Sequence, residues 1–361
     1  MPRVRPAVDG SASLYSLSAI AASAPAQFQD LAATDDGSVL YFSSPARQTG
    51  TDQFLHPKIF RWSRQGFELV AQREQTGVNT TANFHELISP DVSGDGRVLS
   101  AVGRRSCIGG SACVYFEYFA PEIARGANDP GFRIGRIQLS RNGRYALIFG
   151  SAGFGANPIT RVDLMTGERF TREYSPLWVP SDRQDLTDDG AVLLAGNHRL
   201  ALWLGDERAE IPLVDTPSAA VVSADGSAIV VETGGLPSQQ AERTLWVIPA
   251  IGSEPVELAG PQISPFRPVI SNDGRFAVFL EYGRVVLADL AAGVRRVLDE
   301  PAEPATEATI SGDGNILYVA TAANRLLRID RSSGQAEELA SRFVRVDTIF
   351  GAPVPGSRLI L

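Results

Sequence analysis

Residues that commonly carry metal or nucleophile chemistry are scarce in this sequence. The 361 residues include two cysteines, Cys107 and Cys113, and three histidines, His56, His85 and His198. The histidines are scattered, and His85-Glu86 lacks the second histidine of a His-Glu-x-x-His zinc motif. A Gly-x-Ser-x-Gly nucleophile elbow is also absent. The sequence therefore predicts no catalytic residue, no metal site and no cofactor.

Positive charge is limited as well. Lysine and arginine number 33 against 41 aspartate and glutamate residues, which gives a formal net charge of −8, and Lys58 is the only lysine. An acidic chain opposes binding to phosphate backbones and anionic lipid, so we expect no nucleic-acid partner. No apolar run approaches the roughly 18 residues of a membrane helix, so we also expect no membrane span.

A repeat dominates what the sequence does contain. An apolar run, a small polar residue, Asp or Asn, Gly and a second apolar run recur seven times, as in QDLTDDGAVLLAG and PVISNDGRFAVFLE. Asp-Gly and Asn-Gly between apolar runs indicate a tight hairpin, because both residues tolerate the positive φ of such a turn. The predicted structural turn glycines are Gly37, Gly96, Gly143, Gly190, Gly226, Gly274 and Gly314.

The repeat also predicts the architecture. A second hairpin follows several copies, as in VDLMTGERF and ADLAAGVRRV, so each unit is a four-stranded meander. Gly37 and Gly314 are six repeats apart, which gives about 46 residues per unit, the length of a propeller repeat. Such a sheet must stack on neighbours to bury its faces, so we expect an all-β propeller of four-stranded antiparallel blades.

The chain length predicts eight blades, with seven as the alternative. The C-terminal RFVRVDTIFGAPVPGSRLIL has the order of a first hairpin, and the N-terminal SLYSLSAIAASAPAQ could supply the outer strands that it lacks. A closing blade shared by both termini would leave no unpaired strand edge. Within a single domain of residues 1–361, the predicted blades are 28–72, 85–120, 134–173, 183–214, 218–258, 267–298, 306–340 and a closing blade of 342–361 with 13–27.

The Ser-x-Asp-Gly hairpin followed by an Asp-x-x-Thr-Gly turn resembles the TolB-like and WD40-like propeller repeats of exported bacterial proteins. The resemblance covers nearly the whole chain, but the Gly-His and Trp-Asp pairs of true WD40 blades are missing. It implies a propeller fold. It leaves function open, because that superfamily holds scaffolds, binding modules, lyases and non-catalytic domains of peptidases.

The two cysteines predict a disulfide. In SCIGGSACV a turn centred on Gly110 would place Cys107 opposite Cys113, within disulfide distance. A disulfide is typical of an oxidising compartment, so we expect an extracellular or periplasmic protein. The alternative is a pair of reduced thiols. No export signal is recognised in the chain, and we expect that it was absent or removed.

Loop lengths predict where a ligand would bind. The Asp-Gly and Thr-Gly turns share one face of the propeller, whereas the long loops and crossovers lie on the other face, mostly over blades one to three. Loops on a rigid scaffold often carry function, although long loops also simply tolerate insertions. The candidate binding residues on that face are His56, His85, Glu86, Arg104, Arg105, Tyr174, Trp178 and Arg183.

Two functions remain open from the sequence. The first is a non-enzymatic binding module of an exported bacterial protein, monomeric, with a protein or glycan ligand and linked to further domains in a longer chain. The second is a propeller enzyme of the lyase or glycan-processing type, with a site of His, Arg and Tyr near the central channel. The absence of catalytic motifs favours the first.

Overall fold

A computed structural model describes residues 28–46, 56–71, 85–105, 114–120, 133–151, 157–174, 186–196, 198–204, 207–234, 242–250 and 252–340. Within these ranges the regular elements are β-strands, which form seven antiparallel sheets, five of four strands and two of three. The predicted all-β propeller of antiparallel blades is confirmed.

The strands follow chain order within each sheet, so every sheet is a meander. Sheet 1 contains β1 (Gln29–Ala33), β2 (Val39–Ala46), β3 (His56–Ser63) and β4 (Gly66–Ala71). Sheet 2 contains β5 (His85–Val92), β6 (Leu99–Arg105) and β7 (Val114–Ala120). Sheet 3 contains β8 (Arg133–Leu139), β9 (Tyr145–Ser151), β10 (Asn157–Asp163) and β11 (Arg169–Tyr174). Sheet 4 contains β12 (Val192–Gly196), β13 (Arg199–Leu204) and β14 (Glu207–Pro212), and Leu186 forms an isolated bridge with Val192.

The last three sheets have four strands each. Sheet 5 contains β15 (Pro217–Val222), β16 (Ile229–Gly234), β17 (Arg243–Ile248) and β18 (Val256–Gln262). Sheet 6 contains β19 (Val269–Ile270), β20 (Phe276–Glu281), β21 (Arg284–Asp289) and β22 (Val294–Val297). Sheet 7 contains β23 (Ala305–Ile310), β24 (Ile316–Thr321), β25 (Leu326–Asp330) and β26 (Ala336–Ala340).

The hydrophobic core of the described chain is divided into clusters that lie between neighbouring sheets. This division follows from strand alternation, which gives each sheet two apolar faces that only adjacent sheets can cover. The cluster between sheets 7 and 1 is the most aromatic. Phe42 stacks on Phe60 with ring centroids 5.7 Å apart, and Trp62 meets Tyr318 of sheet 7 edge to face.

This packing overturns the eight-blade prediction. Sheet 7 packs directly against sheet 1, so no further sheet lies between them: β1 contacts both β23 and β24. The carboxylate of Glu307 accepts the backbone N–H groups of Asp30 and Leu31, each at 2.9 Å. The ring therefore closes through side-chain packing and these hydrogen bonds. Residues 13–27 and 342–361, the predicted closing blade, lie outside the described residues, and the single-domain assignment of 1–361 stays a prediction.

A Ser or Thr hydroxyl stabilises each Asp-Gly turn, because it donates one hydrogen bond and accepts another. In sheet 6, Ser271 Oγ donates to Asp273 Oδ1 at 2.6 Å and accepts the backbone N–H of Phe276 at 2.9 Å. The backbone N–H of Gly274 closes the turn on the Ser271 carbonyl at 3.0 Å, and Gly274 has a φ of +66°. Because L-residues rarely adopt such a φ, glycine is the favoured residue there.

Candidate functional site

The first strands of the sheets surround a central cavity of about 430 Å³. Its described lining comes from β1, β5, β8, β15, β19 and β23, together with Leu186 of sheet 4 and parts of sheet 5. This volume falls in the range of small-molecule pockets, roughly 300–1,000 Å³. We therefore take the central channel as the candidate site.

The channel lining follows the register of the turns. In the sheets whose inner strand is described, the residues four and two positions before the Ser or Thr that opens the Asp-Gly turn line the channel. The first set, the mouth layer, is Asp30, Ser89, Arg136, Ala219, Arg267 and Glu307. The second set, the middle layer, is Ala32, Asp91, Gln138, Val221, Val269 and Thr309.

The residue that follows each turn-opening Ser or Thr forms a third set, the turn layer, at the narrow end. Its described members are Asp35, Gly94, Arg141, Asp188, Ala224, Asn272 and Gly312. Backbone hydrogen bonds link most of them from one sheet to the next, for example Asp35 N to Gly94 O at 2.8 Å and Asn272 N to Gly312 O at 2.8 Å. The turns therefore brace each other around the axis.

Arg141 lies across the channel at this narrow end. Its Nε donates to Asn272 Oδ1 of sheet 6 at 2.9 Å, and its Nη1 donates to the carbonyl of Ala33 in sheet 1 at 3.2 Å. The same Nε lies 3.8 Å from Asp35 Oδ1. An arginine from sheet 3 thus reaches both sheet 6 and sheet 1, which narrows the channel at the Asp-Gly face.

Two carboxylates of the mouth and middle layers, Asp30 and Asp91, accept hydrogen bonds from a neighbouring sheet. Asp30 Oδ2 accepts the backbone N–H of Ser89 at 3.2 Å, and Asp91 Oδ2 accepts that of Leu139 at 2.7 Å. Burial raises the pKa of Asp91, although the hydrogen bond from Leu139 opposes that shift. These carboxylates, like Glu307, have a structural role between sheets in addition to facing the channel.

A buried ion pair lies within sheet 5, and its glutamate also contacts the segment that leads to sheet 6. Glu232 Oε1 accepts hydrogen bonds from Arg243 Nη1 at 3.1 Å and from Ser218 Oγ at 2.6 Å. Glu232 Oε2 accepts the backbone N–H of Phe266 at 2.7 Å. Both charged side chains are 3% exposed and line the channel, so the ion pair places a shielded guanidinium in the wall.

Exposed apolar side chains lie at the wide end of the ring, opposite the Asp-Gly turns. Val214 follows β14, Ile263 follows β18 and Tyr282 follows β20, and their exposed fractions are 91%, 58% and 72%. We call these three residues the apolar rim. Exposed apolar residues grouped at one end of a protein commonly mark an interaction surface.

The structure places six of the eight predicted binding residues at strand ends on the wide face. His85 pairs in register with Arg105, and Glu86 with Arg104, in sheet 2. Sheet 2 therefore brings together four of the six residues. The other two lie on its neighbours: His56 begins β3 of sheet 1, and Tyr174 ends β11 of sheet 3.

Four predicted residues fall outside the described ranges. They are Trp178, Arg183, Cys107 and Cys113. The binding role of the eight candidates and the disulfide both stay predictions.

Sequence reasoning missed the channel residues, although a usable signal was present. Counting back four and two positions from each turn-opening Ser or Thr reaches Arg136, Gln138 and Arg267.

Comparisons with known proteins bear on the fold alone. No protein-family model matches the chain, and no curated protein matches it. Among solved structures, it is similar to the β-propeller domain of the Trilobed protease from Pyrococcus furiosus, which has an open velcro topology. The identity is 12%, the TM-score is 0.59, and the match covers 89% of this chain and 99% of the other. The likeness shows a β-propeller fold. The resemblance to TolB-like and WD40-like repeats stays a prediction.

No helix among the described residues is long and apolar enough to cross a membrane. No group of three or more His, Cys, Asp or Glu side chains among them could hold a metal ion.

Proposed function

We propose that this propeller is a non-enzymatic binding module whose ligand enters the central channel from the wide face. The observation that carries the proposal is the channel itself. A cavity of about 430 Å³ is narrowed at one end by Arg141, and its described lining includes four arginines and four carboxylates. A small cavity with converging polar groups is the usual form of a ligand site.

Backbone conformation at the mouth supports this proposal. Asp30, Ser89 and Arg267 of the mouth layer have positive φ values of 54°, 51° and 51°. Left-handed conformations are unfavourable for these residue types, and they cluster at binding and active sites where the surrounding structure holds them in place. Three such residues in one layer indicate that the placement of these side chains at the channel mouth outweighs the local cost in backbone stability.

The loops on the wide face belong to the same proposal. We propose that the ligand, a protein or a glycan in the broad sense, contacts the apolar rim and the loops that carry His56, His85, Glu86, Arg104, Arg105, Tyr174, Trp178 and Arg183. The described lining of the channel contains no histidine or tyrosine, so these residues lend no support to the enzymatic alternative.

A channel-filling substitution tests the binding proposal. Thermal-shift screening of the wild-type protein against peptides, oligosaccharides and small metabolites would be repeated with Ala219→Trp, which fills the mouth layer. Met165→Trp adds the same side chain at a residue that is 81% exposed at the opposite end of sheet 3, and serves as the control. We expect wild type and Met165→Trp to bind the same compounds, and Ala219→Trp to lose at least about tenfold in affinity.

A second variant protects the test against a folding defect. Arg267→Glu reverses the charge of an exposed residue of the mouth layer and removes one hydrogen bond to the Thr306 carbonyl, so we expect only a small decrease in the melting temperature. Compounds that bind equally well to wild type, Ala219→Trp and Arg267→Glu would refute the channel as the binding site. A screen without any binder would refute the proposed function within those compound classes.

Export is a separate proposal that depends on Cys107 and Cys113. We propose that the protein works outside the cytoplasm and that these cysteines form a disulfide. Intact-mass measurement after alkylation without reductant should show no modified thiol. Two alkylated cysteines on protein purified from an oxidising compartment would contradict the disulfide.

A further inference from the structure

Three of the channel arginines, Arg141, Arg243 and Arg267, have hydrogen-bond donors without a partner among the described residues. A guanidinium group has five N–H donors. Arg243 is 3% exposed, its Nη1 binds Glu232, and its Nε has no hydrogen-bond partner among the described residues. Arg141 uses Nε and Nη1, and Arg267 donates from Nη1 to the carbonyl of Thr306 at 2.8 Å.

The channel carboxylates, by contrast, already accept hydrogen bonds from the protein. Asp30 accepts from Ser43 Oγ at 2.8 Å and from Ser89 N, and Glu232 accepts three hydrogen bonds. The charges of the four arginines and four carboxylates in the described lining cancel. The channel wall therefore offers a ligand mainly hydrogen-bond donors, and the channel has no large net charge.

Gln138, in contrast to the arginines, needs a hydrogen-bond donor from a ligand. It belongs to the middle layer, it is 6% exposed, and its Oε1 has no hydrogen-bond partner in the described part of the protein. A buried amide oxygen without a hydrogen-bond donor is unfavourable unless another molecule supplies one. A ligand that fits this channel would offer oxygen acceptors to the arginines and at least one N–H or O–H group to Gln138.

We propose that the channel binds the part of this ligand that carries one carboxylate and a neighbouring amide or hydroxyl group, which is the chemistry of a small organic acid. This inference rests on the proposed binding function. The planar guanidinium of an arginine pairs with a carboxylate through two parallel hydrogen bonds, so Arg267 at the mouth and Arg243 in the wall are the groups that take the acid. A single charge suits the site because the channel carboxylates repel a polyanion.

Paired probes test the charge requirement. Isothermal titration would compare N-acetyl-L-alanine, lactate and gluconate with their neutral amides, and inorganic phosphate would be the non-carboxylate anion. We expect at least one acid to bind about tenfold or more tightly than its own amide, a difference typical of one charged contact. Equal binding of every acid and its amide, or binding of phosphate alone, would overturn the inference.

Two variants and a matched control locate the contact. Arg267→Gln should weaken binding of the acid about tenfold and leave the amide nearly unaffected. Arg97→Gln removes the same charge from a side chain that is 86% exposed in the Asp-Gly turn of sheet 2, and should change neither. Gln138→Met keeps the volume, should maintain or raise the melting temperature, and should weaken binding of the acid. Equal effects of Arg267→Gln and Arg97→Gln would refute the assignment.

The outcomes separate this inference from the proposed function. Acids that bind no more tightly than their amides, and that lose binding in Ala219→Trp but not in Arg267→Gln, would leave the channel as a binding site and refute the organic-acid assignment. Acids that bind equally well to Ala219→Trp and wild type would remove both.

Discussion

At the scale of single residues, the packing at the narrow end of the channel depends on two glycines that have no Cβ atom. The Asp35 carboxylate lies over Gly94 on one side and Gly312 on the other, and a Cβ at either glycine would overlap it. Two flanking sheets thus make room for one acidic side chain, next to Arg141. The sequence shows these glycines only as variable residues of the repeat.

Gly94→Ala should therefore destabilise the protein through Asp35. We expect a loss of about 1–3 kcal/mol in the free energy of unfolding, the usual cost of overpacking. In an Asp35→Ala background the loss should fall by at least half, because the overlapping carboxylate is gone. Urea unfolding of the four proteins in this double-mutant cycle measures the coupling. Additive losses would show that Gly94 is needed for another reason.

Tyr318 predicts a pH effect at the closure of the ring. Its hydroxyl donates to the carbonyl of Gly37 at 2.6 Å, and burial raises its pKa above the ordinary value of about 10. A group with a raised pKa contributes stability below its unfolded pKa, and that contribution is lost as the pH rises above about 10. Below that pH we expect Tyr318→Phe to lose about 1 kcal/mol.

The difference between wild type and Tyr318→Phe should then shrink as the pH increases from 8 to 11. Urea unfolding at each pH measures it, and the other tyrosines cancel because both proteins contain them. A difference that stays constant over this range would contradict the assigned shift.

At the scale of the element, the Asp-Gly turn is a unit that combines a hydroxyl, a carboxylate or amide and a glycine. Its hydrogen bonds join residues at most five apart, so the sequence pattern is enough to predict it. The channel-facing residues of the inner strand that precedes each turn are harder to predict from the sequence. They range from Ala219 to Arg267, since the channel does not demand one residue type.

Ser271→Ala should show what the turn hydroxyl contributes. Ser271 is fully buried, and its loss would leave the N–H of Phe276 without its partner. We expect a decrease of about 1–2 kcal/mol in the free energy of unfolding. Ser264→Ala changes an exposed serine at the other end of sheet 6 and should stay within about 0.5 kcal/mol of wild type. Equal effects of both substitutions would mean that the hydroxyl is dispensable.

At the scale of the whole molecule, the contact between the first and last sheets closes the ring. Glu307 joins residues separated by 276 positions in sequence, and the cluster around Phe42 and Tyr318 buries the same interface. Closure of a long loop costs chain entropy, which this interface offsets. Breaking it should therefore affect both ends of the described chain together.

Glu307→Gln tests the closure. Replacing one carboxylate oxygen by an amide nitrogen leaves one acceptor for two donors, so the backbone N–H of either Asp30 or Leu31 loses its partner and we expect a loss of about 2 kcal/mol. Hydrogen exchange should become faster in β1 and β23 and change little in β16 or β17. Glu257→Gln, an exposed change on β18, is the control. Uniformly faster exchange in all sheets would indicate global destabilisation instead of local opening.

The sequence by itself determined the propeller fold, because hairpin turns and strand alternation depend on residues a few positions apart. Only the tertiary structure decided how the ring closes. The chain length suggested an eighth blade, yet sheet 7 packs on sheet 1 through contacts between residues nearly 300 positions apart. The same holds for Arg141, whose partners lie 131 and 108 residues away. Such contacts depend on the angle between packed sheets, which no local pattern specifies.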